Sequence, residues 1–202
     1  MTYRGWSDMD SAGRSLRIEL DGDHQAGNAA VAMDCLDLLG EQGVPVSTEA
    51  VARGFGKLRC PGRIERFCMP DDVIAIVDVA HNEDSIDALG RCLRRRCVDR
   101  PITVVFGTSR DKSAGPMLAA LSTIAERLVL TQFQGNPRFV PAAELLPLVP
   151  ESMRTRVTVV GDPIEACVAG LGHATPGGAL VVCGSFFIVA ETRDWIASQA
   201  LD

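Results

Sequence analysis

The chain contains no Gly-x-x-x-x-Gly-Lys-Ser/Thr loop and no Gly-x-Gly-x-x-Gly fingerprint, which excludes a phosphate cradle of either common kind within these residues. It has no excess of positive charge. Twenty Lys and Arg stand against 26 Asp and Glu, a net charge of −6, so no overall field draws it to nucleic acid or anionic lipid. No apolar run approaches the length of a membrane span,, and the polar opening MTYRGWSDMDS does not resemble a signal peptide,. The cysteines Cys35, Cys60, Cys68, Cys92, Cys97, Cys167 and Cys183 form no Cys-x-x-Cys pair. Their odd number and mostly apolar neighbours read as small hydrophobes in a reducing compartment, not a disulfide framework or a zinc site. These absences together lead to the expectation of a cytoplasmic protein. One local basic cluster, Arg91, Arg94, Arg95, Arg96 and Arg100, falls in the last turns of a predicted helix. Cations complement the macrodipole there, and the cluster reads as a solvated face.

What is present is an ordinary globular composition, 47% hydrophobic over 202 residues, enough for one large or two small domains. The most informative stretch is Val73–Asn82, VIAIVDVAHN. Its apolar, β-branched run reads as a strand buried on both faces of a parallel sheet, and a helical pattern starts at Glu83. Asp78, His81 and Asn82 therefore fall at the carboxyl end of a strand, where α/β sheets bind ligands. A plainer reading also holds: Asp78 ends a strand and Asn82 caps a helix.

Residues 1–22 read as a hairpin, with Tyr3 and Trp6, a polar turn at Asp8–Gly13, and alternation over Ser15–Leu20. Two strands alone are marginal, so these residues look like part of a larger unit. Helices are predicted over Asp23–Gly40 and Thr48–Lys57, and the break Arg59–Arg63 marks a domain boundary, giving domains 1–62 and 63–202. Strands then alternate with helices: Ile64–Cys68, Val73–Val79, helix Glu83–Cys97, strand Ile102–Gly107, a helix ending at Ser122, strand Arg127–Thr131, short helix Ala142–Leu148, strand Arg156–Val160, helix Asp162–Gly172, strand Ala179–Cys183 and helix Phe186–Ser198. This order implies an α/β fold with a mostly parallel sheet covered by helices on both faces. Right-handed crossovers then gather Asp78–Asn82, Thr108–Lys112, Gln132–Arg138, Gly161–Pro163 and Gly184–Ser185 on one edge. That edge offers carboxylates (Asp78, Asp111), an imidazole, cations (Lys112, Arg138) and a hydroxyl, with helix N-termini suited to an anion.

In this order the motifs resemble those of folylpolyglutamate synthase/dihydrofolate synthase, in the Mur ligase superfamily. DHQAGNAA is similar to that family's HQxxNA, PGR at 61–63 to its PGR, and DVAHN at 78–82 to its DGAHN. FGTSRDK at 106–112 resembles its strand and loop ending in Asp-Lys, TQFQGNPR its TxxxNPR, and CGSFFIVAE its TGSLYLVGE. The resemblance implies a Rossmann-like C-terminal ligase domain at 63–202, preceded at 1–62 by a small α+β tail of a central ATPase domain. It also implies that the phosphate loop, the magnesium ligands and most of the folate site belong to a preceding portion. This chain would pack against that portion, and alone it would neither hydrolyse ATP nor ligate.

The implied reaction joins L-glutamate to dihydropteroate or a folylpolyglutamate. ATP phosphorylates the carboxylate, the amine attacks the acyl phosphate, and cations with Mg2+ steady the developing charge. By resemblance Asn28 contacts adenine, Arg63 reaches the ATP phosphates, and Asp78 holds the ribose. His81 stands near the ligation centre, with Asn82 beside it, and Lys112 and Ser185 grip the incoming amino acid's carboxylates. Asn136 and Arg138 match a motif without an assigned role. Each has a plainer reading: Asn28 a polar helix residue, Arg63 an exposed cation, Lys112 a solvated loop tip, Ser185 an N-cap. Val79, Glu83 and Gly27 stand where the family often has Gly, Pro and Glu. Two other functions stay open, a cell-wall Mur ligase and a non-catalytic domain binding an amino acid or nucleotide.

Overall fold

The computed structural model describes residues 2, 3, 14, 15, 17, 18, 20 and 22–201, and the chain divides into two compact units, Met1–Pro61 and Gly62–Asp202. In the first, two-residue strands β1 (Thr2–Tyr3) and β2 (Arg14–Ser15) pair antiparallel. Trp6 and the Asp8–Gly13 turn of the expected hairpin lie outside the described residues. Two helices follow, α1 (Asp23–Glu41) and α2 (Thr48–Lys57). Ser47 starts the second, its Oγ accepting the Ala50 N–H at 3.2 Å, as an N-cap should. Met33 and Val51 form the buried centre, with Ala30, Leu36 and Phe55 packed around them.

The second unit is a six-stranded sheet in the order β3 (Glu65–Cys68), β4 (Ile74–Val77), β8 (Ala179–Cys183), β5 (Ile102–Phe106), β6 (Arg127–Leu130), β7 (Val157–Val159). Only the edge strand β3 runs antiparallel to its neighbour; the others are parallel. The fold is thus the Rossmann-like, mostly parallel α/β arrangement expected. Period-two alternation divides each strand between two apolar layers. Ile76, Val104, Phe106, Leu128 and Val181 meet α3 (Glu83–Arg96), α4 (Ala114–Ser122) and α5 (Ala142–Leu145). Ala75, Val77, Val105, Val129 and Val182 meet α6 (Pro163–His173) and α7 (Phe186–Gln199).

Departures from the expected elements have local causes. Ile64 does not join β3 because it takes φ +49°. Pro147 converts the end of the expected 142–148 helix into a 3₁₀ turn, Leu146–Leu148. His173 ends α6, with Nε2 3.2 Å from the Thr158 hydroxyl.

Candidate functional site

Strand order explains where the chemistry gathers. The chain steps outward from β4 to β5, β6 and β7, then returns through α6 and places β8 between β4 and β5. After β4 and β5 it passes to the α3/α4 layer, but after β8 it passes to the α7 layer. Loops that part in this way open a crevice at the carboxyl end of the sheet. Gly184, directly after β8, seals its floor. It has φ +112°, and its N–H donates to the Ala80 carbonyl at 2.8 Å. A Cβ there would stand 2.5 Å from the Gly107 carbonyl oxygen. Backbone from all three loops is therefore in contact at this point, and only glycine fits.

Above that floor Arg63, His81 and Phe186 form one stack. The His81 and Phe186 ring centroids are 5.2 Å apart at 53°, and the Arg63 guanidinium lies 5.8 Å from the Phe186 centroid, within cation–π range. Phe186 is 51% exposed. His81 Nδ1 lies 3.0 Å from the Val79 carbonyl, which can only accept, so Nδ1 carries the proton. In the neutral ring Nε2 is then the acceptor. The sequence singled out Arg63 and His81 but not Phe186, whose signal was the paired aromatic in CGSFFIVAE.

The remaining candidates have structural partners. Asp78 is buried, and its Oδ2 accepts the Ile64 N–H and its Oδ1 the Ala80 N–H, both at 2.8 Å. Asn82 caps α3: its side chain accepts the Ser85 N–H at 2.9 Å while Ser85 Oγ accepts the Asn82 N–H at 3.0 Å, a reciprocal capping box,. Ser185 is buried and caps α7, accepting the Phe187 N–H at 3.1 Å. Lys112, on the loop after β5, pairs with Asp111 at 3.2 Å. The Lys112 hydrogen bond holds the Asp111 carboxyl below the usual carboxylate range. Arg138 stacks 5.6 Å over Phe187, the residue next to Phe186, and Asn136 Oδ1 accepts the Arg138 backbone N–H at 3.0 Å. Asn28 lies on α1 of the first unit, donating to Gln25 at 3.1 Å.

The structure thus joins Arg63 and His81 directly through Phe186, and Arg138 to the adjacent Phe187. Among the described residues no hydrogen bond or ion pair links Lys112 to that stack. Two anchors went unread in the sequence. Glu191 on α7 accepts the Gln134 N–H at 2.9 Å and the Gly135 N–H at 2.7 Å, pinning the 132–138 loop. Glu65 and Arg193 form a bidentate pair at 2.8 and 2.6 Å. Among the described residues no group of three or more His, Cys, Asp or Glu side chains is placed to hold a metal ion. The cations, helix starts and imidazole fit an anionic, phosphate- or carboxylate-bearing ligand.

A probable bifunctional folylpolyglutamate synthase/dihydropteroate synthase of Halobacterium salinarum is 33% identical over 95% of this chain and 24% of its own length. The UDP-N-acetylmuramoyl-L-alanyl-D-glutamate–2,6-diaminopimelate ligase of Corynebacterium glutamicum is 31% identical over 84% of this chain and 34% of its own. A Mycobacterium tuberculosis folylpolyglutamate synthase, solved with ADP and AMPPCP, has the same fold: TM-score 0.78 at 24% identity, covering 95% of this chain and 44% of that one. The chain spans less than half the length of each. Residues 62–186 match the family described as Mur ligase, glutamate ligase domain. The matched residues lie within the second unit, and the chain belongs to that family.

Proposed function

We propose that this chain works as the amino-acid-binding part of an ATP-dependent ligase that joins L-glutamate to dihydropteroate, to folylpolyglutamates, or to both. In this reading residues 1–62 are the tail of a central ATPase domain, and the phosphate loop and the magnesium ligands belong to a preceding portion against which this chain packs. The cytoplasm, where all seven thiols stay free, is its compartment. The observation that carries the reading is the Arg63–Phe186–His81 stack at the carboxyl end of β4. A guanidinium and an imidazole with a committed Nδ1 both pack on one phenylalanine ring, one suited to a phosphoryl oxygen and one to an acyl phosphate or a carboxylate,.

The reaction needs two anions brought together and an amine delivered to an activated carbonyl. ATP supplies the phosphoryl group that activates the substrate carboxylate, and Mg2+ offsets its charge. Arg63 holds the transferred phosphate's charge, while His81 steadies the acyl phosphate or accepts the amine proton through Nε2. Lys112 receives a carboxylate of glutamate by exchanging its pairing with Asp111, and Ser185 and Asn82 hold the helix starts that face the amino acid. Asp78 contacts the ribose, and its grip on the Ile64 amide also sets the Arg63 turn. Asn28 meets adenine. Positioning supplies much of the acceleration, because the second step joins two separately held reactants.

The test is turnover by the protein that includes the ATPase portion. With ATP, magnesium, glutamate and dihydropteroate it should release ADP and phosphate and form the amide. His81→Ala should lower kcat by about 10²–10⁴-fold, the range of a positioned acid–base group. The 202-residue chain alone should turn over no ATP. Normal turnover by His81→Ala would remove the site assignment. A second reading, a cell-wall ligase, is favoured by the Corynebacterium relative. Activity with diaminopimelate and a nucleotide-linked peptide, in place of glutamate and a pteroate, would select it.

A further inference from the structure

Arg63 sits in a turn that Gly62 accommodates and Ile64 does not,. Gly62 has φ +72° and Ile64 φ +49°, and a β-branched residue in the left-handed region is strained. Such strain persists only where neighbours over-determine it. Three hydrogen bonds do so here. The Gly62 N–H donates to Glu65 Oε2 at 2.9 Å, the Ile64 N–H to Asp78 Oδ2 at 2.8 Å, and the Val79 N–H to the Gly62 carbonyl at 2.8 Å. Both amides flanking Arg63 thus end on a carboxylate.

Asp78 and Val79 belong to the segment that leads to His81. Glu65 does not; it opens the edge strand β3 and is oriented from the far end of the chain. Arg193, on α7, grips it with a fork: Nε to Oε2 at 2.8 Å and Nη2 to Oε1 at 2.6 Å. Two parallel charge-assisted bonds fix the carboxylate plane, which one bond would leave free to swivel. Oε2, shared between Arg193 and the Gly62 amide, is therefore held where the turn needs it. The same helix carries Phe186, on which the Arg63 guanidinium stacks. One rigid element sets both the backbone and the side chain of Arg63.

We propose that Arg193 and Glu65 are positioning residues for Arg63, a relay from α7 through a carboxylate to the Gly62 amide that aims the guanidinium into the site. This rests on the reading of Arg63 as the cation that meets the nucleotide phosphates. Neither relay residue touches a substrate.

Two measurements test it. In the 202-residue chain, Arg193→Met should speed hydrogen exchange at the Gly62 amide by about ten-fold or more, as expected when a charge-assisted bond is lost, while amides in β5 keep their protection. In the protein that includes the ATPase portion, Arg193→Met should raise the KM for ATP by about ten-fold, with little change in the KM for glutamate, and Arg193→Lys should recover part of the loss. Residues acting through one another are not additive, so Arg193→Met should add almost nothing in an Arg63→Ala background. A lowered melting temperature with unchanged KM for ATP, or losses that multiply with those of Arg63→Ala, would overturn the relay. If wild type performs no ATP-dependent ligation, the functional reading fails, and the Gly62 exchange still decides the relay.

Discussion

The two units dispose of their apolar residues in opposite ways. The first buries Met33 and Val51 but leaves Val31, Leu38, Leu39, Val44, Val46 and Leu58 exposed. An open, almost entirely apolar groove of about 420 Å³, lined in part by Leu36, Val46, Phe55 and Leu58, runs over α1 and α2. The second closes one apolar layer on each face of its sheet, and its exposed large hydrophobics, such as Val98, Val168 and Leu201, are scattered over a segment more than twice as long. An amphipathic helix is stabilised chiefly by what covers its apolar stripe. By that measure the second unit is complete in itself, and the described helices of the first are not.

The largest expected effect follows by separating them. Residues 62–202 expressed alone should unfold cooperatively, with sharp near-UV circular dichroism. Residues 1–61 alone should show weak helicity and no sigmoidal transition. A cooperative transition in the shorter piece would erase the contrast. Single substitutions sharpen it. Leu118, fully buried beneath the sheet, should cost about 2–5 kcal/mol on replacement by alanine, counting the cavity left behind. Leu38, 56% exposed in the first unit, should change stability by less than about 0.5 kcal/mol under the same replacement. Urea denaturation of both variants is the check.

Next comes Gly184, where the second unit presses its loops closest. Alanine there meets the left-handed φ of +112° and a carbonyl oxygen 2.5 Å from its Cβ, at a cost of about 1–3 kcal/mol from backbone strain alone. The nearest contact is to backbone, which cannot move aside as the neighbouring Phe106 ring could. Gly27, with nothing within 4 Å of a built Cβ and an ordinary φ in α1, should accept alanine with a slight gain of about 0.5–1 kcal/mol in helix propensity. Equal effects at the two glycines, measured by melting temperature, would count against the packing described here.

Legibility in the sequence followed the same line between local and distant causes. Helix α2 and strand β8 were readable to the residue, because a Ser cap and an uninterrupted β-branched run are local signals. Strand β4 and the Asn82 cap were readable for the same reason. The insertion of β8 between β4 and β5 was not, since strand order depends on crossovers and pairing across more than a hundred residues,. Nor was the Glu65–Arg193 fork, whose partners stand 128 residues apart. Phe186 was legible only as the start of the last helix. Its contacts with a guanidinium and an imidazole depend on how the 61–64 turn folds back, which no spacing in the sequence reveals. Asp78 shows the limit from the other side: an acidic residue at a strand end was easily noticed, but not the Ile64 and Ala80 amides that it accepts.

The smallest expected effect concerns acid. Glu65 is held below its ordinary value of 4.5, first by its hydrogen bond from Arg193 and then by the Gly62 amide, against a partial desolvation that pushes the other way. A carboxylate depressed in the folded state binds protons more readily once unfolded. Its contribution is therefore complete above 4.5 and drains away as pH falls through the lower folded value. The pair retains 31% and 23% side-chain exposure, and solvent screening keeps the contribution modest. Denaturation midpoints between pH 7 and pH 3 should thus fall on the acid side more steeply in wild type than in Glu65→Gln, which cannot titrate. Trp195 on α7 packs against the second core, so its fluorescence in a Trp6→Phe background reports this unit alone. Identical acid limbs in the two proteins would mean that the fork contributes geometry without stability.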